Sequence, residues 1–346
     1  MTTTQLRFEL PASLEAAVPP EARGVPRDDV RLMVATRATG SLVDTTFTHL
    51  PDFLEPGDLL VVNTSATIPA ALVVLDEHEP PIVVHLSTRL DDGTWVVEPR
   101  RRTPAGTARW AGPPPPRRLT VGDGASVELL APYLDSERLW IARLALPDAP
   151  LRWLASHGQP IRYSYVHGAW PIAAYQNVYA TEPGSAEMPS AGRPLTARVI
   201  TALVAKGVGV SPVVLHTGVA SLEAGETPYP ERVQVPAWTA QRVTTTRAAG
   251  GRVIAVGTTV VRALESAAGE DSTMRALDGW TDLVITPERG VRVIDGLITG
   301  FHEPETSHLQ LLEAVAGCEL LVGSYEASIA RGYLWHEFGD SHLVLP

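Results

Sequence analysis

The feature that most constrains the fold of this chain is a repeated unit of strand, polar loop and helix in its C-terminal half. An apolar strand at 252–256 leads through a Gly-Thr-Thr loop into a helix at 260–268, and a helix that ends at Gly207 leads into the apolar strand 210–215. This repetition predicts an α/β fold with a mixed, largely parallel sheet and flanking helices. Because ligands of such sheets bind beyond the carboxyl ends of the strands, the polar loops are the candidate functional segments.

The segment between residues 73 and 150 has a different character. Short β-rich runs alternate there with Gly, Pro and Asp turns, and no interval is long enough for a good helix. Closely spaced short strands are typical of a small sandwich or barrel. The sequence therefore predicts a main α/β domain formed by residues 1–72 and 151–346, with a β-barrel-like domain inserted at 73–150.

Composition and charge exclude several classes of protein. No run in the chain is apolar enough for a secretory signal or a membrane-spanning helix, which predicts a cytoplasmic protein without a membrane partner. The net charge of -11 argues against nonspecific nucleic-acid binding through a diffuse positive field but permits a local basic patch. The single cysteine, Cys318, has no internal partner for a disulfide and is expected to pack inertly.

One candidate basic patch lies between residues 100 and 118, in a stretch rich in Pro and Gly. A phosphate contact and a solvated arginine-rich loop are both compatible with this pattern. The candidate contact residues are Arg100, Arg101, Arg102, Arg117 and Arg118.

The loop Gly257-Thr258-Thr259 opens a helix directly after an apolar strand. Glycine allows close approach of the backbone, and the free N–H groups of a helix start attract an anion. An N-cap role explains the threonines equally well. Arg262 lies one turn into the helix, and Glu265 is most simply its partner on the helix surface.

Two histidines follow apolar strands. His216 precedes Thr217-Gly218, and His302 follows Phe301 in a segment rich in acidic and hydroxyl residues that includes Thr306. Histidine transfers protons near neutral pH, and a structural hydrogen-bonding role also fits both positions. Neither histidine has a partner at metal-ligand spacing on its own element, so we expect no metal site.

Two further turns complete the candidate segments. Pro189-Ser190-Ala191-Gly192 combines a rigid turn with small side chains, which lets a flat or bulky ligand approach the backbone. Asp340 precedes the last strand and is either a turn residue or an anchor for a polar ligand. The chain has no Walker loop, no GxGxxG after a strand and no GxSxG elbow, which disfavours an NTPase, a Rossmann dehydrogenase and a serine hydrolase.

Taken in order, these segments resemble the S-adenosylmethionine:tRNA ribosyltransferase-isomerase family of queuosine biosynthesis. The resemblance covers nearly the whole chain, and its fragments are weak one by one but specific as an ordered set. The fragments that carry it include Phe8-Glu9-Leu10-Pro11, Pro56-Gly57-Asp58-Leu59, Ile68-Pro69-Ala70, Tyr175-Gln176, Pro189-Ser190-Ala191-Gly192, Leu215-His216 with Gly218, Gly257-Thr258-Thr259 with Arg262, Thr281-Asp282, Phe301-His302 and Gly339-Asp340.

The resemblance implies a reaction in which S-adenosylmethionine is a substrate, the donor of a ribosyl group. The acceptor it implies is a 7-aminomethyl-7-deazaguanine base in tRNA, the product is epoxyqueuosine, and adenine and methionine leave. It implies no metal or organic cofactor, and we expect a monomer. On this hypothesis His216 and His302 are catalytic, and the arginines named above contact tRNA. The expected substrate-binding residues are Pro189, Ser190, Ala191, Gly192, Gly218, Gly257, Thr258, Thr259, Arg262, Phe301, Thr306 and Asp340.

The chain departs from the family pattern at several candidate positions. Two arginines and a carboxylate of the family are missing from Asn63-Thr64-Ser65-Ala66 and from Ala71, and a histidine before Glu231 is missing as well. Two alternatives therefore stay open: an enzyme that acts on a small 7-deazapurine or another acceptor, and a non-catalytic RNA-binding protein of the same fold. The family hypothesis predicts that the segments around positions 190, 216, 258 and 302 share one pocket. It also predicts that Arg262→Ala weakens donor binding and leaves the fold intact.

Overall fold

The structure, a computed structural model, describes residues 8–76, 81–104, 106–111, 114–134, 136–219, 228–304 and 307–346. Within these residues there are two large sheets and a small two-stranded one. The elements of the N-terminal part are β1 (Arg31–Thr36), β2 (Ser41–Thr46), the short helix α1 (Leu50–Phe53), β3 (Leu59–Asn63) and β4 (Ser65–Thr67).

The second large sheet is antiparallel and has a core of its own, in which Val127 and Leu129 are buried. Its strands are β5 (Ala71–Val73), β6 (Ile82–Arg89), β7 (Trp95–Thr103), β8 (Gly106–Arg109), β9 (Arg118–Gly122), β10 (Ala125–Pro132) and β11 (Trp140–Ala145). One hydrogen bond joins the two edges of this sheet: the N–H of Leu75, just beyond β5, donates to the carbonyl of Thr120 in β9 over 2.8 Å. Among the described residues no strand pairing closes this sheet into a barrel. The domain boundaries at 72/73 and 150/151 stay a prediction.

The C-terminal part supplies most of the strands of the main sheet. It also supplies the long helices that cover this sheet. These elements are α2 (Pro150–His157), β12 (Glu182–Ser185), α3 (Ala197–Lys206), β13 (Gly209–Leu215), β14 (Glu231–Val235), α4 (Ala237–Ala248), β15 (Val253–Val256), α5 (Thr258–Ala267), β16 (Leu277–Thr281), β17 (Gly296–Thr299), α6 (Ser307–Ala316), α7 (Cys318–Ala330) and β18 (Ser341–Leu345). Helix α3 ends as its sequence predicts, at Gly207, whose φ of 94° suits glycine.

The main sheet has nine strands in the order β16-β14-β13-β3-β15-β17-β18-β1-β2. The central neighbours β13, β3, β15 and β17 run parallel to one another. Toward the edges the pairing is antiparallel, except that β1 runs parallel to β18. The prediction of an α/β fold with a mixed sheet and flanking helices is confirmed.

The central strands are buried on both faces. In β3, Leu59 and Val61 pack into a core that contains residues of α4, α5, α6 and α7, whereas Leu60 and Val62 pack into another core with residues of α1 and α3. Successive side chains of a strand point to opposite faces, so a strand covered on both sides is apolar at every position. This geometry aligns the carboxyl ends of the four parallel strands at one edge, where the candidate loops begin.

Candidate active site

A cavity of about 290 Å³ lies where the chain leaves the central parallel strands. Its wall includes Thr217 after β13, the Gly257 loop after β15 and the Phe301 segment after β17. The turn that follows β12 lines it as well. The predicted site residues on its wall are Pro189, Ser190, Ala191, Gly257, Thr258, Thr259, Phe301 and His302.

Other predicted residues lie outside this wall. Gly218 and Arg262 line an adjoining cleft of about 100 Å³, which shares part of its lining with the cavity. Gly192 is buried behind the Ser190 turn, where a Cβ atom would lie 1.7 Å from the Tyr179 hydroxyl. Thr306 lies outside the described residues. The predicted segments around positions 190, 258 and 302 thus meet at this cavity. The segment around position 216 reaches it through Thr217 and not through His216.

The start of α5 forms one side of the cavity. Gly257 is the N-cap residue, with a φ of 93° that favours glycine, and its N–H donates to the carbonyl of Ile298 over 2.8 Å. The N-cap residue is thus a glycine, which has no capping side chain, so the capping explanation of the two threonines does not hold. The Thr259 hydroxyl instead accepts a hydrogen bond from the Asn63 amide over 3.3 Å. The first turn of α5 therefore faces the cavity with its backbone N–H groups free of a side-chain cap.

His302 lines the cavity and is held from several sides. Its Nε2 lies 2.9 Å from the Thr299 hydroxyl, and its backbone N–H donates to the Tyr325 hydroxyl over 3.2 Å. Its ring stacks on His308 with 4.6 Å between the ring centroids. Burial, with the neighbouring histidines, holds the pKa of His302 well below its usual value. The imidazole is therefore neutral near pH 7 and is able to accept a hydrogen bond or a proton.

His216 is not part of the cavity wall. Its Nδ1 lies 2.7 Å from the Ser65 hydroxyl, which lies 2.5 Å from the Ser185 hydroxyl. These serines belong to β4 and β12, whose parallel pairing leads into the Pro189 turn. His216 therefore supports the turn that lines the cavity, while the adjacent Thr217 is the residue of this segment that reaches the wall.

Arg262 is bound within the fold. Its guanidinium forms an ion pair with Glu231 and donates to the carbonyls of Leu283 over 3.1 Å and Thr281 over 3.4 Å. Glu231 also accepts from the N–H of Gly218 over 3.0 Å. Arg262 thus joins α5 to the strands β14 and β16 at the edge of the smaller cleft.

We expect Arg262→Ala to lower the free energy of unfolding by about 1.5–3 kcal/mol, because it leaves the mostly buried Glu231 carboxylate without its charged donor. The sequence-based prediction of an intact fold stays a prediction, and the ion pair adds to it the expectation of a lower stability. The measurement is chemical denaturation, with Arg275→Ala as the matched control because the Arg275 side chain is exposed. An equal loss in the two variants would contradict this role.

Glu265 is not the surface partner of Arg262 that the helical spacing suggested. Its side chain is buried, and its carboxylate accepts from Arg289 over 3.0 Å and from the backbone N–H groups of Arg292 and Val293 over 2.8 and 3.0 Å. The residue faces inward because α5 is covered on this side by the segment that carries these three donors.

Two tyrosine–carboxylate pairs on the cavity wall were not predicted from the sequence. Tyr163 donates to Glu187, and Tyr165 donates to Glu337 over 2.7 Å. His336 stacks on Tyr165 with 4.0 Å between ring centroids. The two tyrosines lie in a turn closed by the N–H of Val166, which donates to the Tyr163 carbonyl over 3.1 Å, so strand alternation would not have identified them. Nothing local marks Glu337, whose partner is 172 positions away.

Asp340 is a turn residue, the first of the two roles considered for it. Its carboxylate accepts from the N–H groups of Arg31 over 2.9 Å and Leu334 over 2.7 Å. Burial raises the pKa of Asp340. With both oxygens bonded to the backbone, Asp340 holds in place the loop that carries His336 and Glu337.

Arg100 is a correction among the candidate basic contacts. Its side chain is buried in the second sheet and donates to Glu98 over 2.6 Å and to Thr107 over 3.0 Å. A buried guanidinium that is paired with a carboxylate does not reach a phosphate in solvent. The contacts that stay a prediction are the exposed residues Arg101, Arg102, Arg117 and Arg118.

No group of three or more His, Cys, Asp and Glu side chains among the described residues is arranged to hold a metal ion. No helix in the same residues combines the length and the apolar character of a membrane-spanning segment.

Comparison with known proteins finds similarity over the whole chain. The model of a family described as queuosine biosynthesis protein matches residues 3–344. The S-adenosylmethionine:tRNA ribosyltransferase-isomerase of Desulfitobacterium hafniense is 35% identical over 350 residues, 98% of each chain, and the protein of that name from Thermotoga maritima is 33% identical over 354 residues, 100% of each. A crystal structure of S-adenosylmethionine tRNA ribosyltransferase from Thermotoga maritima is 30% identical, with a TM-score of 0.55, and the match covers 98% of this chain and 99% of that one.

Proposed function

The chain belongs to the family of queuosine biosynthesis proteins, and we propose that it transfers the ribosyl group of S-adenosylmethionine to a 7-aminomethyl-7-deazaguanine base in tRNA, forming epoxyqueuosine. It is then a transferase-isomerase that consumes S-adenosylmethionine as a substrate. The observation that carries the proposal is that relatives of this name match the chain from end to end, while the loops at 189–191, 257–259 and 299–303 line one cavity.

Different residues of the cavity wall suit different parts of S-adenosylmethionine. On one side, the first turn of α5 presents N–H groups, which favour the carboxylate of the methionine part. The small side chains of Ser190 and Ala191 let a flat nucleoside approach the backbone. The rings of Tyr163 and Tyr165 also line the cavity and suit a base or an organic cation.

His302 is the candidate for proton transfer in this site. It lines the cavity and is unprotonated near pH 7, so a ring nitrogen is able to accept a proton, and its lowered pKa means that it gives the proton up again readily. We assign His216 a positioning role, because it reaches the cavity only through the two serines that support the Pro189 turn. Arg262 positions the start of α5 through Glu231.

The test is adenine release by the purified protein. S-adenosylmethionine is supplied with tRNA that carries the 7-aminomethyl-7-deazaguanine base, or with the free base, and adenine is quantified by liquid chromatography. We expect release that depends on the modified tRNA. Release with the free base alone would support the small-molecule alternative, and no release with either acceptor would support the non-catalytic one.

In the same assay we expect His302→Gln to lower turnover by about 100-fold or more, the range that a positioned proton-transfer group contributes. The matched control is His49→Gln, because the His49 side chain is 60% exposed. Turnover of His302→Gln within a few-fold of the control would remove His302 from the proton-transfer step.

A further inference from the structure

The described part of the cavity wall carries three carboxylate side chains. The described residues that line it include the carboxylates Glu187, Glu303 and Glu337, and no lysine or arginine. Its histidines do not supply the missing positive charge, because burial lowers the pKa of His336 to about 4 and, with Arg262, that of His308 to about 4. Close to these carboxylates an anion would be repelled and a cation attracted.

The carboxylate of Glu337 is fixed beside an aromatic ring. The Tyr165 hydroxyl donates to its Oε2 over 2.7 Å, and the rings of Tyr163 and Tyr165 lie nearly parallel with 5.9 Å between centroids. Burial raises the pKa of Glu337, and the charge of Arg193 opposes that rise. The Arg193 guanidinium makes its hydrogen bonds to both carboxylate oxygens of Glu21, at 3.1 and 2.8 Å. A carboxylate next to aromatic faces is the combination that binds organic cations.

His336 gives a second, independent indication that a ligand belongs here. Its side chain is 6% exposed and lines the cavity, yet its Nε2 has no hydrogen-bond partner among the described residues; a Glu15 carboxylate oxygen lies 4.0 Å away, beyond hydrogen-bond distance. A buried polar atom without a partner is unfavourable unless a ligand supplies one.

The backbone at His336 is also unusual. Its φ is 71°, in the left-handed region that residues other than glycine seldom adopt. The loop is held in that state by the N–H of Gly339, which donates to the His336 carbonyl over 3.0 Å, and by Asp340. This conformation lets two consecutive side chains, His336 and Glu337, line the same cavity. Strain of this kind persists where the surrounding structure imposes it and is concentrated at functional sites.

We propose that Tyr165, His336 and Glu337 form a subsite that binds a small organic cation of the substrates. The proposed function offers two such groups, and the inference rests on it for their identity: the sulfonium of S-adenosylmethionine and the aminomethyl ammonium of the deazaguanine base. Glu337 supplies the negative charge, Tyr165 the aromatic face, and His336 a neutral hydrogen bond to a polar atom beside the cation.

The experiment measures charge preference by isothermal titration calorimetry at pH 7.5. One ligand pair is S-adenosylmethionine and S-adenosylhomocysteine, which lacks the sulfonium charge. The other is 7-aminomethyl-7-deazaguanine and its neutral 7-cyano analogue. We expect the wild type to prefer the cationic member of one pair, and Glu337→Gln to lower that preference about tenfold or more while binding the neutral member as before. The pair that responds identifies which cation occupies the subsite.

The controls separate this inference from the proposed function. Glu326→Gln, on the exposed side of α7, should keep the wild-type preference. Should Glu337→Gln fail to fold, Tyr165→Phe, which removes the hydroxyl that fixes the carboxylate, is expected to lower the same preference. His336→Asn should weaken both members of the responding pair equally. A folded Glu337→Gln with unchanged preference in both pairs overturns the subsite even when the wild type releases adenine. Absence of adenine release with a preference that depends on Glu337 overturns only the proposed reaction.

Discussion

Acidification from pH 6.5 to pH 4 is expected to unfold the protein, because several buried histidines are held neutral in the folded state. Burial lowers the pKa of His308, His336 and His342 to about 4 and, with Arg100 nearby, that of His85 to about 3. The unfolded chain binds protons at these positions below pH 6.5, whereas the folded protein does not. Stability is therefore complete above pH 6.5 and is lost as pH falls toward 4, at up to about 1.4 kcal/mol per histidine and pH unit.

Carboxyl groups modify this dependence in both directions. Burial raises the pKa of Glu337, and burial with Glu15 nearby raises that of Glu303, so these groups favour the folded state as pH falls. Burial would raise the pKa of Glu21, but hydrogen bonds from Arg193 and Arg27 outweigh it and lower the pKa to about 2. Because the unfolded chain binds this proton more readily, Glu21 adds a further loss of stability as pH falls toward 2. Among the described residues six histidines have a lowered pKa, since those of His216 and His302 are lowered as well, and four carboxyl groups have a raised one, Glu303, Glu313, Glu337 and Asp340. The histidines therefore outnumber the raised carboxyl groups, and we expect the net loss to exceed a typical domain stability of about 5–15 kcal/mol as pH approaches 4.

The measurement compares urea denaturation of the wild type and His342→Leu at pH 7.5 and pH 5. His342 is fully buried, stacks on Phe301, and has no hydrogen-bond partner for either ring nitrogen among the described residues. We expect the free energy of unfolding of the variant to equal or exceed that of the wild type at pH 7.5. Between pH 7.5 and pH 5 we expect the variant to lose less of it than the wild type, by up to about 2 kcal/mol. An unchanged pH dependence in His342→Leu would show that this histidine is not a source of the acid sensitivity.

Glu265→Ala is expected to cost about 3–5 kcal/mol of unfolding free energy, because it leaves the Arg289 guanidinium without its carboxylate. The Glu265 carboxylate also accepts from the backbone N–H groups of Arg292 and Val293, which lose their partner in the variant. Since α5 begins at the cavity, this contact anchors one wall of the site from behind. Thermal or urea denaturation measures the loss.

Glu270→Ala is the matched control, because this exposed glutamate lies just beyond α5 and its removal should change stability by less than about 0.5 kcal/mol. The double variant Glu265→Met with Arg289→Met is expected to recover part of the loss, since an apolar pair leaves no uncompensated charge. A loss below about 1 kcal/mol in Glu265→Ala would refute the buried ion pair.

The segments of the site were predictable where the signal lies in neighbouring residues. Apolar runs such as 59–62 and 253–256 predict strands buried on both faces, and the loops that follow parallel strands necessarily meet at one edge of the sheet. Gly257 was recognisable for the same local reason, since a strand that turns sharply into a helix requires a residue with freedom of φ. The resemblance of the ordered fragments to a known family extended these local signals to the whole chain.

The sequence by itself determined the α/β class, the distinct character of the 73–150 segment and the loops that line the cavity, because strand periodicity and turn residues act over a few positions. Only the tertiary structure decided the partners of the charged groups. It buried Arg100 against Glu98, joined Arg262 to Glu231, turned Glu265 inward to Arg289, and placed Glu337 beside Tyr165. The physical reason is that burial and ion pairing depend on which distant segments pack together. The sequence of one helix or loop does not indicate which segment will cover it.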